Sequence, residues 1–252
     1  MSNHEPQPFL RNISLQRDRV RSFDTFPFSI PAVRELHSLE LHPQVTFFIG
    51  ENGTGKSTLL EAIALVEGFA FEGGSRNFTV KPDDPRYDLA RALGVGRGVR
   101  RARHDSFYLR AESFYNVATQ IDELGVNYAY GGKSLHAQSH GESFMQIFTT
   151  RMTGHGLYLL DEPEAALSPQ RQLAFLAAMH DLVLRDSQFI IATHSPIIMA
   201  YPHAKILQFT ERGIHPIAYA DTEHYKVTKM FLTRTEKMLA DLLGDDTSPD
   251  SA

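Results

Sequence analysis

The chain has 252 residues, and 25 Lys and Arg against 30 Asp and Glu leave a formal charge of −5, which excludes a globally basic nucleic-acid binder. A composition 42% hydrophobic and 22% charged, with 17 Phe and 9 Tyr, excludes a wholly disordered chain and suits one sizeable buried core. With no cysteine there is no disulfide, thiolate-held zinc or thiol nucleophile, and neither a secretory stretch after Met1 nor a membrane-spanning apolar run is visible.

Residues 9–16 and 35–41 alternate apolar and polar side chains, as half-buried strands do. Residues 45–49 are continuously apolar, which predicts a strand buried on both faces in a parallel sheet. A glycine-rich stretch over 50–58 follows, and then Leu59, Leu60, Ile63 and Val66 at helical spacing. Between residues 73 and 105 the pattern dissolves among Pro82, Pro85, Gly94, Gly96 and Gly98. This stretch and its flank carry Arg86, Arg91, Arg97, Arg100, Arg101, Arg103 and Arg110 against Asp88 and Asp105. A short strand is expected at 107–109, then helices over 112–124 and 139–152.

The last third alternates regularly. Strands are expected at 157–160 and 189–192, with a helix over 169–184 placing Leu173, Leu176, Ala177, His180 and Val183 or Leu184 on related turns. Residues 206–209 and 214–218 read as a closing hairpin, and residues 223–243 as one terminal helix. Strands alternating with helices argue an α/β fold with a mostly parallel sheet.

Gly50-Glu51-Asn52-Gly53-Thr54-Gly55-Lys56-Ser57, followed by Thr58, fits G-x-x-x-x-G-K-[ST] between a strand and a helix. The glycines let backbone amides wrap phosphates, and the helix N-terminus adds partial positive charge. Lys56 reaches the β and γ phosphates, and Ser57 offers a hydroxyl to Mg²⁺. The strand at 157–160 runs into Asp161 and Glu162. A carboxylate at such a strand tip suits the same metal, and Glu162 can hold and polarise the attacking water.

Three further pieces keep a fixed order. Ser139-His140-Gly141-Glu142 precedes Asp161, Ala166-Leu167-Ser168-Pro169 follows Glu162, and Thr193-His194-Ser195-Pro196 ends the next strand. In this order the chain resembles the ABC-type ATPase superfamily of P-loop NTPases, and within it the small stand-alone ATPases of the SMC-like branch. The resemblance implies an ABC-ATPase-like parallel sheet core, an antiparallel β region near the N-terminus and a small helical subdomain. It implies one domain over residues 1–243, with a helical insert at about 70–153 and a loose acidic tail at 244–252. It also implies Mg²⁺-dependent hydrolysis of ATP in a head-to-tail homodimer, with His194 against the γ-phosphate.

By that resemblance Ser139 and Gly141 occupy the signature loop that reaches the opposite subunit. The superfamily's Leu-Ser-Gly-Gly-Gln is here Gln138-Ser139-His140-Gly141-Glu142, and Ser139 with Glu142 equally fits a helix capping box. Glu112 stands where the superfamily carries a metal-linked Gln, or is a first-turn helix residue. Phe26 and Phe28 are candidates to stack on adenine, and Phe28 is expected to do so. Arg97, Arg100, Arg101 and Arg103 could grip nucleic-acid phosphates. The process is read as nucleic-acid maintenance or defence in the cytoplasm, without membrane insertion. The alternatives are the ATP-binding subunit of a transporter with a membrane partner, or a non-catalytic nucleotide-gated scaffold. The 112–139 interval is too short for a long coiled coil.

Overall fold

The computed structural model describes residues 7–69, 86–99, 106–110 and 140–244. Two sheets organise them. The larger has six strands in the order β5-β6-β7-β3-β8-β9: β3 (Val45–Ile49), β5 (Phe107–Arg110), β6 (Leu157–Asp161), β7 (Gln188–Ala192), β8 (Lys205–Thr210) and β9 (Gly213–Pro216). The first five strands in that order are mutually parallel, and β9 closes the edge antiparallel to β8. The smaller sheet is antiparallel, in the order β2-β1-β4: β1 (Leu10–Leu15), β2 (Ser38–Glu40) and β4 (Leu93–Arg97).

Alternation along the central strands explains their unbroken apolar sequences. Phe48, Leu157, Leu159, Ile190 and Ala192 face one core, with Leu59, Leu60 and Ile63 of α2 (Lys56–Val66). Phe47, Ile49, Tyr158, Leu160, Phe189 and Ile191 face the other. That second core is filled by Phe144 and Phe148 of α4 (His140–Arg151) and Phe175 and Met179 of α5 (Pro169–Leu184). Each strand residue thus meets a helix layer whichever way it points. Burial of each large apolar side chain contributes about 1.5–3 kcal/mol.

One side chain ties the two sheets. Gln188, fully buried on β7, accepts from the amides of Phe9 and Leu10 at 2.9 Å each. Its amide donates to the carbonyls of Leu10 at 2.8 Å and His42 at 2.9 Å.

Several sequence expectations need correction. The stretch over 73–105 is not patternless where it is described: it holds α3 (Arg86–Ala92) and β4. Gly94 and Gly96 belong to that strand because it presses against β1. A Cβ at Gly94 would stand 2.8 Å from Ser14 Oγ, and one at Gly96 would collide with Asn12 Oδ1. The 35–41 strand is only Ser38–Glu40, preceded by α1 (Pro31–Arg34). Helix α5 buries Gln172, Phe175, Met179, Leu182 and Val183, whereas Leu173 and Leu184 are exposed.

The terminal helix is two, α6 (Glu223–Thr233) and α7 (Thr235–Leu243), broken at Arg234 (φ −142°). Thr233 and Thr235 flank the break and donate their hydroxyls back to Lys229 O and Phe231 O, both at 2.7 Å. Such back-bonding bends helices, and neither helix buries a residue that would hold it straight. The expected helix over 112–124 lies outside the described residues.

Candidate functional site

The parallel strands bring their carboxyl ends to one edge. Arg110 pairs in register with Asp161, and Asp161 and Phe48 both pair with Ala192. The loop after β3, the Asp161–Glu162 corner after β6 and the Thr193–His194 turn after β7 therefore share one crevice, where open α/β sheets bind ligands.

Three left-handed glycines shape the loop: Gly50 (φ +143°), Gly53 (φ +80°) and Gly55 (φ +98°). A Cβ at Gly50 would stand 2.6 Å from the carbonyl oxygen of Phe209, and one at Gly55 2.8 Å from Ile30 Cγ2. Close approach and backbone sign both demand glycine there. Glu51, Asn52 and Gly53 form the exposed crown, and the Thr54 hydroxyl donates to Glu51 O at 2.8 Å. Gly55 caps α2, so the amides of Lys56, Ser57 and Thr58 lie in a first turn that can receive an anion.

Lys56 is buried, and its ammonium donates to Gly50 O and Glu51 O, each at 2.9 Å. It spans its own loop where a phosphate would otherwise take those bonds. Burial lowers its pKa, opposed by Glu162, Asp161 and Glu164.

Ser57 and Asp161 meet across the crevice, the hydroxyl donating to Oδ1 at 2.8 Å. Burial pushes the Asp161 carboxyl up; the Ser57 hydrogen bond and the Arg110 charge oppose this. Arg110 Nε stands 3.6 Å from Asp161 Oδ2. A buried carboxylate beside a hydroxyl is a donor set suited to a hard divalent ion. No group of three or more His, Asp or Glu among the described residues could hold a metal. Mg²⁺ fits this arrangement, since it takes few protein ligands and completes its shell with phosphates and water.

Glu162 adopts a left-handed conformation (φ +52°, ψ +51°) before the turn Pro163–Ala166. Its amide donates to Ala192 O at 2.9 Å, which fixes the corner. Its Oε1 lies 3.6 Å from Nε2 of His194. Burial and Lys56 hold the His194 ring below its usual pKa, with Glu162 opposing.

Three contributors were missed from the sequence. Glu164 is half-buried and accepts from the His194 amide at 2.5 Å and the Thr193 hydroxyl at 2.8 Å. Burial raises its pKa against those bonds. Glu164 thus staples the β6 corner to the β7 turn, a role that the neighbouring Glu162 masked in the sequence. Arg110 stood only as one of seven arginines. His224, whose Nε2 lies 3.0 Å from His194 Nδ1, comes from α6 with no sequence signal at all.

Other expected residues among the described ones do not join the crevice. Phe28 is packed in the core, edge-on to Phe23 with centroids 6.4 Å apart, so it offers adenine no open ring face, which corrects that expectation. Phe26 is 55% exposed. Gly141 is buried in the first turn of α4, where a Cβ would stand 2.8 Å from Ala166 O. Glu142 pairs with Arg171 at 3.1 Å. Arg97 forks onto Glu67 Oε1 through Nε at 3.1 Å and Nη2 at 2.8 Å. Ser139, Glu112, Arg100, Arg101 and Arg103 lie outside the described residues.

Family profiles match two parts of the chain. Residues 15–96 match one described as "AAA domain", and residues 143–200 one described as "AAA domain, putative AbiEii toxin, Type IV TA system". The cytochrome c biogenesis ATP-binding export protein CcmA of Rhodopseudomonas palustris is 26% identical over 170 residues, 63% of this chain and 82% of CcmA. The tungstate uptake system ATP-binding protein TupC of Campylobacter jejuni is 24% identical over 248 residues, 86% of this chain and 73% of TupC. A solved structure described as "An inward-facing conformation of a putative metal-chelate type ABC transporter" shares the fold at a TM-score of 0.51. It is 15% identical and covers 90% of each chain. A glycine loop with its lysine after one strand, a carboxylate pair on a strand two places away and sequence relatives that bind ATP point one way: the chain carries a P-loop ATPase site and resembles the ABC-type ATPases.

Proposed function

We propose that two copies of the chain, head to tail, enclose ATP and Mg²⁺, so that binding joins the copies and hydrolysis releases them. The carrying observation is the meeting of Ser57 and Asp161 at 2.8 Å, in the crevice that also holds Lys56, Glu162 and His194. The loop amides and Lys56 hold the β and γ phosphates. Ser57 and Asp161 hold the metal, which when bound neutralises phosphate oxygens. Glu162 orients and polarises the attacking water. His194 donates to the γ-phosphate. Gly141, with Ser139 and Glu112 in support, belongs to the part of the site shared with the second copy and the metal. Residues 1–243 act as one ATPase domain with a helical insert at about 70–153, ahead of the tail at 244–252.

The process we favour is defence or nucleic-acid maintenance in the cytoplasm, supported by the toxin-system profile over 143–200. A transporter subunit is the second reading, supported by relatives named for export and uptake. No helix among the described residues is long and apolar enough to cross a membrane, so that reading needs a separate membrane partner.

Glu162→Gln tests the chemistry. It should keep ATP binding and lower turnover about 10²–10⁴-fold, because an amide holds water without taking its proton. It should also trap an ATP-dependent dimer by light scattering. Lys56→Ala should lose ATP binding itself, seen as loss of the thermal shift that ATP gives the wild type. Wild-type turnover in Glu162→Gln overturns the carboxylate assignment. Capture with the trapped variant separates the processes: a multi-span membrane protein favours the transporter, nucleic acid or a soluble partner the first reading.

A further inference from the structure

We propose that His224, on helix α6, is a positioning residue that fixes the tautomer of His194. The inference rests on the reading above, in which His194 donates to the γ-phosphate.

The geometry has three parts. His194 Nδ1 and His224 Nε2 are 3.0 Å apart, with ring centroids at 5.2 Å. The other nitrogen of His194, Nε2, is buried, makes no hydrogen bond and lies 3.6 Å from Glu162 Oε1. The first turn of α6 is anchored so that His224 cannot drift. Buried Thr222 caps it, accepting from Tyr225 N at 3.4 Å and donating to Tyr219 O at 2.8 Å. Tyr219 in turn donates to Pro196 O at 2.9 Å, two residues beyond His194.

Chemistry then selects one arrangement. Burial and the Lys56 charge hold both rings below their usual pKa, so the pair is neutral near pH 7 and shares one proton along Nδ1···Nε2. If His194 carried its proton on Nδ1, its Nε2 lone pair would face the Glu162 carboxylate and any phosphate. If His224 donates from Nε2, the proton of His194 sits on Nε2, where both anions can accept it. A ring nitrogen's role is set by the bond its other nitrogen makes. His224 therefore acts through His194 and touches no substrate. It also joins the outer, otherwise unburied helix α6 to the crevice.

The test uses the full chain with His194→Ala, His224→Ala and His224→Gln. A glutamine amide reaches about as far as imidazole Nε2 and can donate the same bond. His224→Ala should lower kcat about 10–100-fold, as loss of such an outer partner does, with KM for Mg·ATP within about twofold. His224→Gln should restore most of kcat. Nitrogen-15 spectra of the imidazoles should show His194 protonated on Nε2 in the wild type and a mixture in His224→Ala. Wild-type kcat in His224→Ala, or His194 protonated on Nδ1 in the wild type, overturns the proposal. The wild-type spectrum decides even if the alanine variant does not fold. Full turnover in His194→Ala would instead overturn the role of His194, so the two failures are distinguishable.

Discussion

The hydroxyl of Ser57 donates to Oδ1 of Asp161 at 2.8 Å, although 104 residues separate them. Parallel pairing explains the meeting. β3 delivers Ser57 through the glycine loop, and β6 delivers Asp161 two strands away, with β7 between them. A hydrogen bond to a charged group is worth about 1.5–3 kcal/mol. If the same two groups hold the metal, Ser57→Ala should raise the Mg²⁺ concentration for half-maximal turnover by roughly 10–100-fold. Chelation should abolish turnover in the wild type. Undiminished turnover in excess chelator would remove the metal from the mechanism.

The site was legible where chemistry is local. The 50–57 loop and the 161–162 carboxylates lie on contiguous residues next to apolar strands, so their spacing alone placed them at strand tips. His224, Arg110 and Glu164 were not legible, because each acquires its neighbour only through folding. The same holds for the fold. Strands buried on both faces read directly from residues 45–49 and 157–160, whereas β4 was lost because Gly94 and Gly96 answer to side chains on β1, some eighty residues earlier. Phe28 shows the opposite error: an aromatic ring near a nucleotide loop suggested stacking, and its burial beside Phe23 reveals core.

Gln188 supplies a second prediction. The expected strand began at Phe189 and left this residue out, yet its amide meets three backbone units from the small sheet and the turn after it. Gln188→Leu keeps the volume and removes all four bonds. Buried donors and acceptors left unpaired cost about 1–3 kcal/mol each, so the variant should lose roughly 3–5 kcal/mol in urea unfolding. A loss below about 1 kcal/mol would mean that the two sheets are joined by apolar packing alone.

Gly141 bears on how the proposed dimer can be tested. A charge placed there to repel a partner's phosphate would first meet Ala166 O and Arg171 of its own chain, since even a Cβ stands 2.5 Å from Arg171 Nη1. Gly141→Ala should therefore destabilise the isolated chain by about 1–3 kcal/mol, the usual cost of overpacking. The measurement is the urea midpoint without nucleotide. An unchanged midpoint would show that α4 can shift away from the Ala166 turn, and a charged variant would then report on the partner's phosphate alone.

Three half-buried histidines give stability a pH dependence of definite sign. Burial is the leading cause of a lowered pKa at His42, His194 and His224, reinforced by Lys205 and His203 at the first, by Lys56 and His224 at the second, and by Lys56 at the third. Each titrates at 6.5 when unfolded. Below that value the unfolded chain binds protons that the folded chain refuses. Stability is therefore fully present above pH 6.5 and is lost as pH falls from 6.5 through the depressed folded values. Asp161 and Glu164 act with the opposite sign at lower pH. Burial raises them, so their contribution declines as pH rises from their ordinary values of 3.8 and 4.5. His42 isolates the histidine effect, because its Nδ1 accepts from the amides of Gln44 and Val45, both at 3.2 Å, and a proton there would break both bonds. His42→Asn places an amide oxygen near the same position and does not titrate. The wild-type urea midpoint should fall between pH about 7.5 and about 5.5, and His42→Asn should fall less steeply while matching the wild type at the upper end. A wild-type midpoint that stays flat or rises over that range would show that the half-buried rings carry no net proton penalty in the folded chain.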